Sequence, residues 1–431
     1  MRFLKITALF ALRAAVVSMF FCALFPLWAD DENQDNYGNI SDYLNKIYGI
    51  DNNAGLTVFP VLNIPIGGRS EGMLAFSALS DDISFIEYNP AGSSMLEKSE
   101  LAFFHNNWIA DTKIEGVAYA TRFGNFGLAA GAKILYLPFT EYNIYGERVS
   151  NGYYSEGVAI LNFSYNFLSG YYFNGLSFGM NVKGAYRLMP DYTDNFDNII
   201  GGSGLAQSAV MAMADIGFLT RFNFGKFYTS RERNASAAIV VRNLGPPALD
   251  EPLPTVLSAA ISYRPLRPLT FALDFNVPIN MADINLSELP YTAFGFSVNV
   301  ASFLSMRAGV MYKAGSSRIS VGSAINLDKL AIDINYTLDL LSQLQPLNRI
   351  SLGVRFDLGD SGRSQKADLV EELYLLGLEA YSQGKFYDAR LCWEEALRIN
   401  PRYDPAIESL DMLNNRDELT KRIEDLYRLE F

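Results

Sequence analysis

From about residue 98 to 358, apolar positions alternate with small or polar ones at a period of two, in stretches of about ten residues. In 331–339, Ile332, Ile334, Tyr336 and Leu338 lie on one face and Asp333, Asn335, Thr337 and Asp339 on the other. In 349–356, Ile350, Leu352, Val354 and Phe356 alternate with Arg349, Ser351, Gly353 and Arg355; residues 270–277 and 176–183 repeat the pattern. The pattern predicts fourteen strands, at 99–107, 112–123, 125–136, 154–167, 172–186, 208–223, 235–243, 254–264, 269–277, 290–300, 304–312, 317–326, 329–338 and 348–357. The polar face is rich in Gly, Ser and Ala, which suits a crowded barrel interior better than the charged outer face of a soluble sandwich. Connections alternate between long (137–153, 187–207, 244–253, 278–289, 339–347) and short (Gly124, Leu168–Gly170, Arg264–Arg267, Ser302–Phe303, Asp328). Even strand number and unequal loops predict an all-β transmembrane barrel of about 14 antiparallel strands over 98–358. Two features depart from the rule. The connection Gly225–Asn234 is long on the short side, and Ile239, Val240 and Val241 blur the alternation in 235–243.

Outside this region the pattern changes twice. Arg2 and Lys5 precede an apolar run ending at Ala29, followed at once by Asp30, Asp31 and Glu32, which predicts an export signal over 1–29. Phe21 before Cys22 is too large for lipoprotein processing. Residues 30–97 alternate poorly and carry more apolar side chains than a small core of their own can use. They contain Gly67-Gly68-Arg69, a small-residue stretch from Gly72 to Leu79, the acidic pair Asp81-Asp82, and Asn89-Pro90-Ala91-Gly92, where Asn-Pro opens a turn.

The stretch GGRSEGMLAFSALSDDISFIEYNPAGSSMLEKSELAF resembles the hatch and first strand of FadL-like and PorV/PorQ-like outer-membrane barrels, and among these the FadL-like proteins of spirochaetes. The resemblance is specific over about 40 residues and compatible with the strand count over the rest. It implies that 30–97 plug the barrel, with Asn89, Pro90, Ala91 and Gly92 as the hatch turn. It also implies a hydrophobic ligand such as a long-chain fatty acid, leaving sideways through the wall. Leu62, Ile64, Ile66, Met73 and Phe76 are then the candidate ligand contacts, against the alternative that they seal plug to wall. Gly127 and Gly131 in the third strand are candidates for a gap in the wall, since glycine weakens strand pairing; packing against the plug explains them more simply.

Beyond a linker at 359–366 the period becomes helical. Leu376, Gly377, Gly384, Phe386, Ala389, Trp393, Ala396, Leu397 and Pro401 fit the small, aromatic and proline positions of one tetratricopeptide repeat within 367–431. Gly384 falls at the turn and Pro401 past the second helix, while Leu373 and Ala380 replace the usual aromatics. One repeat rarely stands alone, so it should dock on a periplasmic protein, on a second copy of itself or on the barrel's inner rim, against the alternative of a stability cap with no partner.

Composition narrows the chemistry. The chain has one His and two Cys, which excludes a Cys/His zinc site, a disulfide scaffold and any mechanism needing two histidines. Removal of 1–29 takes away Arg2, Lys5 and Arg13 and no acids, moving the net charge from −12 to about −15, so no nucleic-acid footprint is present. His105, beside Asn106 and Asn107, reads as a lumen residue, and neither acidic pair, Asp30–Asp31 nor Asp81–Asp82, lies in a setting suited to acid/base work. No catalytic residue, metal or cofactor is expected. Phe and Tyr near strand ends read as an interfacial girdle against outer-membrane lipid. These readings predict a bacterial outer-membrane transporter of hydrophobic small molecules with its tail in the periplasm; a structural or secretion-associated scaffold is the alternative. Lumen-facing substitutions, Asn335→Arg among them, are expected to be mild.

Overall fold

The computed structural model describes residues 51, 53–108, 111–142, 145–193, 199–230, 232–314, 317–340 and 347–429, with side chains to residue 416 except Leu347. The expected export signal at 1–29, and 30–50 of the expected plug, lie outside the described residues.

Fourteen antiparallel strands close into one barrel in sequence order, with β1 paired to β14. They are β1 (Glu100–Asn107), β2 (Lys113–Phe123), β3 (Phe126–Tyr142), β4 (Arg148–Phe167), β5 (Leu176–Leu188), β6 (Ala209–Phe222), β7 (Ala235–Leu244), β8 (Thr255–Leu266), β9 (Leu269–Ile279), β10 (Tyr291–Ala301), β11 (Leu304–Tyr312), β12 (Ser317–Asn326), β13 (Leu330–Leu340) and β14 (Leu347–Asp357). Closure leaves no sheet edge unpaired. The predicted facing holds in β13, where Asp333, Asn335, Thr337 and Asp339 are buried inward and Ile334 is exposed outward.

Three local differences have physical causes. Strands β3 and β4 run past the expected 136 and 154, because the connection keeps pairing out to Tyr142↔Arg148. Strand β5 starts at Leu176 rather than 172, because Leu168 and Gly175 both take left-handed backbone angles that break the ladder. The blur in 235–243 marks a bulge: the β6–β7 register slips near Asp215, and Asn243 adopts φ 57. The Asn243 amide donates to Asp215 Oδ1 at 2.7 Å, which fixes the bulge.

Residues 53–99 form an inner segment of short turns, including α1 (Gly68–Met73), α2 (Phe85–Tyr88) and a 3-10 helix (Pro90–Met95), packed within the ring of strands. Its side chains from Val58 to Leu96 are mostly buried, and its apolar groups form one core with inward wall residues such as Phe104, Ile114, Leu135 and Ile160.

After β14 come three helices, α3 (Arg363–Ser382), α4 (Phe386–Ile399) and α5 (Asp404–Leu429). Helix α3 begins inside the stretch expected as linker, where Asp360 accepts the Gly362 and Ser364 amides. Gly377 is required: a Cβ there would fall within 3.0 Å of the Trp393 indole, whose Nε1 donates to the Tyr374 carbonyl. Ala389, Trp393 and Ala396 are buried in the same small core with Val370, Tyr403 and Ala406, and Ala380 packs at its margin. Gly384, at φ 76, turns the chain between α3 and α4, and Pro401 is exposed beyond α4.

Candidate functional site

The inner segment meets the wall by two kinds of contact, polar and apolar. Toward the short turns the contacts are polar and backbone-close. Register places Gly127, Ser164, Gly179 and Gly217 in one inward row across β3–β6. A Cβ on any of the three glycines would fall within 3.0 Å of the Asn89–Ser94 turn, so only glycine lets this backbone lie against the wall. Ser164 completes the row, accepting the Ser94 amide at 2.7 Å. On the far side Gly295 and Gly309, paired across β10–β11, leave room for the Met73 carbonyl. Asn89 organises the turn. Its Oδ1 accepts the Ala91 amide at 3.0 Å, and its Nδ2 donates to the Ser77 carbonyl at 2.8 Å. Pro90, Ala91 and Gly92 follow, all buried, with Gly92 making room for the Phe85 ring.

Charges reinforce the attachment. Glu71 of α1 accepts from Arg349 Nε and Nη2 at 2.8 and 2.7 Å and from Thr337 at 2.6 Å. Arg349 also reaches Asp339, at 3.5 Å, which pairs in turn with Arg318. Arg355 holds Asp82 at 2.5 Å, and Lys133 holds Glu87 at 2.5 Å. Asp274 accepts the amides of Phe76 and Ser77 and the Ser77 hydroxyl. Asp81 lies among Arg69 and Arg264, each at 3.0 Å, and Arg221 at 3.6 Å. Burial pushes the Asp81 carboxyl up, but these three guanidinium groups outweigh it and hold the carboxyl well below its usual range. The two aspartates of this pair serve as anions binding the segment to the wall, with arginine as their partner in each case.

Toward the long loops an apolar patch is set among charges. Inward positions of β2–β6 there carry Ile114, Leu135, Val158, Ile160 and Met213, beside the buried ion pairs Lys133–Glu87, Lys183–Asp215 and Arg187–Glu156. Val61, Ile64 and Ile66 bury against this patch, with Leu62, Trp108 and Tyr154 at its rim. Of the five candidate ligand contacts, Ile64, Ile66, Met73 and Phe76 are fully packed and Leu62 is half-buried. Ile66 fills the space over Gly116, and Phe76 meets the Tyr88 ring edge-on at 5.8 Å. Gly127 faces the Ser93–Ser94 backbone and Gly131 the Ile86 side chain, and β3 is paired on both sides from Phe126 to Tyr136, both glycines included, and with β4 alone from there to Tyr142. His105 corrects the sequence expectation. The inward residues of β1 are Ala102, Phe104 and Asn106, so His105 faces outward and bonds Glu115 at 2.7 Å.

At the short-turn mouth the tail lies over the barrel. Arg363 donates to the carbonyls of Arg122, at 2.6 Å, and of Glu97. Asp404 accepts the Tyr171 amide at 3.1 Å, Glu408 accepts the Tyr172 hydroxyl at 3.1 Å, and the Tyr171 and Tyr403 rings meet edge-on. Between tail and mouth is a polar chamber of about 790 Å³, bordered by Asp81, Arg221 and Arg264 from below and Asp368, Glu371 and Arg402 from above. A second depression, of about 600 Å³, lies on the outer wall between Phe103, Ile134, Tyr186 and Val210. Neither is lined by the five candidate ligand contacts.

Sequence reasoning missed the wall half of this site. Leu135, Val158, Ile160 and Met213 carried a signal, since both faces of their strands are apolar or small at those points, whereas Ile114, flanked by Lys113 and Glu115, carried none. Gly179, Gly217, Gly295 and Gly309 carried none beyond being glycine in a strand.

The chain belongs to the uncharacterised protein family UPF0164, whose model matches residues 49–361. Its relatives include two UPF0164 proteins of Treponema pallidum (strain Nichols). One is 29% identical, covering 81% of this chain and 80% of the relative; the other is 27% identical, covering 85% and 77%. Among solved structures it is similar to the Pseudomonas putida toluene transporter TodX, with TM-score 0.43, 13% identity and coverage of 67% of this chain and 96% of that one. It is also similar to a Rhodopseudomonas blastica porin, with TM-score 0.27, 10% identity and coverage of 61% and 99%.

Proposed function

We propose that this UPF0164 protein is an outer-membrane barrel, plugged by its inner segment, that admits hydrophobic small molecules resembling long-chain fatty acids. Its outer face supports the membrane reading. Outward positions such as Leu161, Phe218, Ile239, Ile261, Leu273 and Ile334 form an exposed apolar band that a bilayer would cover. The observation that carries the substrate class is the apolar inward patch of Ile114, Leu135, Val158, Ile160 and Met213 under the long loops. An acyl chain that displaces Leu62, Ile64 and Ile66 from it exchanges one apolar contact for another, and each buried methylene contributes about 0.8 kcal/mol. Met73 and Phe76, deeper in the lumen, would be reached only after that first displacement. On this reading the protein is a conduit with no catalytic residue. The test is uptake of labelled oleate into vesicles carrying the purified full chain, with lipid extraction and mass spectrometry of the protein as isolated. Uptake no faster than in empty vesicles, together with no retained amphiphile, would refute the reading.

A second reading, a scaffold, has its own support. The outward face of α3 exposes Leu375 and Leu376 between Asp368, Glu372 and Glu379, away from the core that Trp393 fills. The tail would then be a tetratricopeptide-like module that recruits a protein. Fourteen strands return the chain to the side from which it entered, so a periplasmic N-terminus would make the tail periplasmic. Protease on intact cells should spare the tail and cut it only once the outer membrane is permeabilised; cleavage in intact cells would overturn this orientation.

A further inference from the structure

We propose that the connection between β6 and β7 is a docking surface for the headgroups of anionic phospholipids in the leaflet at the short-turn end. The inference rests on reading the barrel as membrane-spanning. This is the connection whose length broke the loop pattern, and it is built rather than slack. Lys226 Nζ donates to the carbonyls of Ser230 and Glu232, each at 2.5 Å, and Arg267 donates to the Thr229 carbonyl at 2.7 Å. Asn234 clamps both backbone groups of Phe224, and the Tyr263 hydroxyl donates to the Gly225 carbonyl at 2.7 Å.

The loop leans on the outer face of the wall. Phe222, Ala235 and Tyr263 are cross-strand neighbours on that face, and the Phe224 ring packs on Tyr263 at 5.9 Å. Phe224 is 67% exposed and Phe227 75% exposed, just beyond the apolar band that ends with Phe218, Ile239 and Ile261. Aromatic rings at that height belong to the membrane interface.

The charges around these rings are positive. Lys226 and Arg267 lie 5.0 and 5.9 Å from the centre of the Tyr228 ring, and their hydrogen bonds go to carbonyls. Arg233 donates to the carbonyls of Tyr171 and Tyr172. The neighbouring acid, Glu232, is turned toward Arg264 at 3.7 Å. The Tyr228 hydroxyl is buried in the same cluster without a hydrogen-bond partner among the described residues. Two cations and two phenyl rings at interface height together fit a phosphodiester whose acyl chains run up the wall.

The test reconstitutes the full chain into nanodiscs of phosphatidylcholine alone or of equal parts phosphatidylcholine and phosphatidylglycerol. Lipids retained after detergent release are counted by native mass spectrometry. Phosphatidylglycerol should be retained preferentially, and Lys226→Gln and Arg267→Gln should each lower that preference by about fivefold. Phe227→Ser should lower retention of both lipids. Inserted protein with equal retention of the two lipids, or a preference unchanged in the double variant, overturns this inference alone. Displacement of the lipid by inorganic phosphate overturns it in favour of a free-anion site. A chain that never inserts overturns the membrane reading with it.

Discussion

Gly179→Ala tests how closely the inner segment is fitted to the wall, and Gly184→Ala, five residues further along the same strand, is its control. Gly179 points inward, and its added Cβ would fall within 3.0 Å of the Pro90 carbonyl and the Ala91 amide. These are backbone atoms that no rotamer change can clear. They are also pinned, since Asn162 donates to the Pro90 carbonyl at 2.8 Å and Ser177 to the Ala91 carbonyl at 2.7 Å. Forcing a methyl into a packed site costs about 1–3 kcal/mol, and losing either pinning bond adds about 1 kcal/mol. The expected cost therefore lies near 3 kcal/mol, about a hundredfold in the folding equilibrium. Gly184 points outward, and an added Cβ meets nothing within 4 Å. Alanine there narrows the unfolded ensemble and should stabilise by about 0.4–1 kcal/mol. The measurement is denaturant unfolding of both variants in phospholipid vesicles, with protease cleavage of residues 53–98 as a second readout. Only Gly179→Ala should raise cleavage. Equal stabilities, or a costlier Gly184→Ala, would refute the facing and the fit together.

Ile334→Arg places a cation on the outer band and should destabilise by about 2–4 kcal/mol in vesicles. Asn335→Arg should also destabilise, against the mild effect expected from the sequence, because Asn335 donates to the Gly68 carbonyl at 2.9 Å; increased protease access to the inner segment should distinguish it from Ile334→Arg. Glu71→Gln and Arg349→Met should each cost about 3–5 kcal/mol by leaving a buried charge unpaired, and the double variant should cost less than their sum; additive costs in unfolding measurements would show that the pair is uncoupled. For Asp81 the folded carboxyl titrates below the unfolded one. Its stabilising contribution is present above the ordinary value of 3.8, declines as pH falls below that, and is lost once pH passes the folded value. Asp81→Asn should therefore flatten the acid side of the stability profile; an unchanged profile would show that the three arginines do not act through it.

The strands were legible because this barrel wall has an exposed apolar outer face and packed polar groups inside, and a period of two records both. Ile334 and Asn335 could be assigned to opposite faces for that reason. What Asn335 touches could not be read, because alternation says which way a side chain points and nothing about what fills the lumen. His105 shows the limit from the other side. It sits between Phe104 and the pair Asn106-Asn107 in a short strand, where polarity alone cannot fix the face, and Glu115 across the ladder decides it. The acidic pair was visible as a motif, but its partners Arg221, Arg264 and Arg355 are between about 140 and 275 residues away, on strands brought to it only by closure. The same holds for Glu71 and Arg349. Fold was local and periodic; the site is made of long-range pairs between an aperiodic segment and positions spread around the ring.

The two kinds of attachment, ionic and apolar, predict which part of the inner segment can move. Parting Glu71, Asp82 or Glu87 from its cationic partner strands a charge at a cost of about 3–5 kcal/mol, and the Asn89–Ser94 turn adds backbone contacts to glycine that only one seating satisfies. Residues 58–66 are tied differently. Their polar tethers include the Val58 amide to the Pro252 carbonyl, the Val61 amide to Glu156, the Ile66 amide to Glu87 and Lys133 to the Ile64 carbonyl, single bonds whose net contribution is about 1 kcal/mol each or somewhat more where charged. The rest of their attachment is apolar contact that an acyl chain can replace. Opening should therefore be confined to 58–66 while 68–96 stay seated. Hydrogen exchange on the full chain in nanodiscs, with and without oleate, measures this directly. Oleate should change protection at Val61, Leu62 and Ile66 and leave Ile86, Asn89 and Ala91 protected. If the Asn89–Ser94 turn loses protection together with 58–66, the segment moves as one body, and the ion pairs do not anchor it.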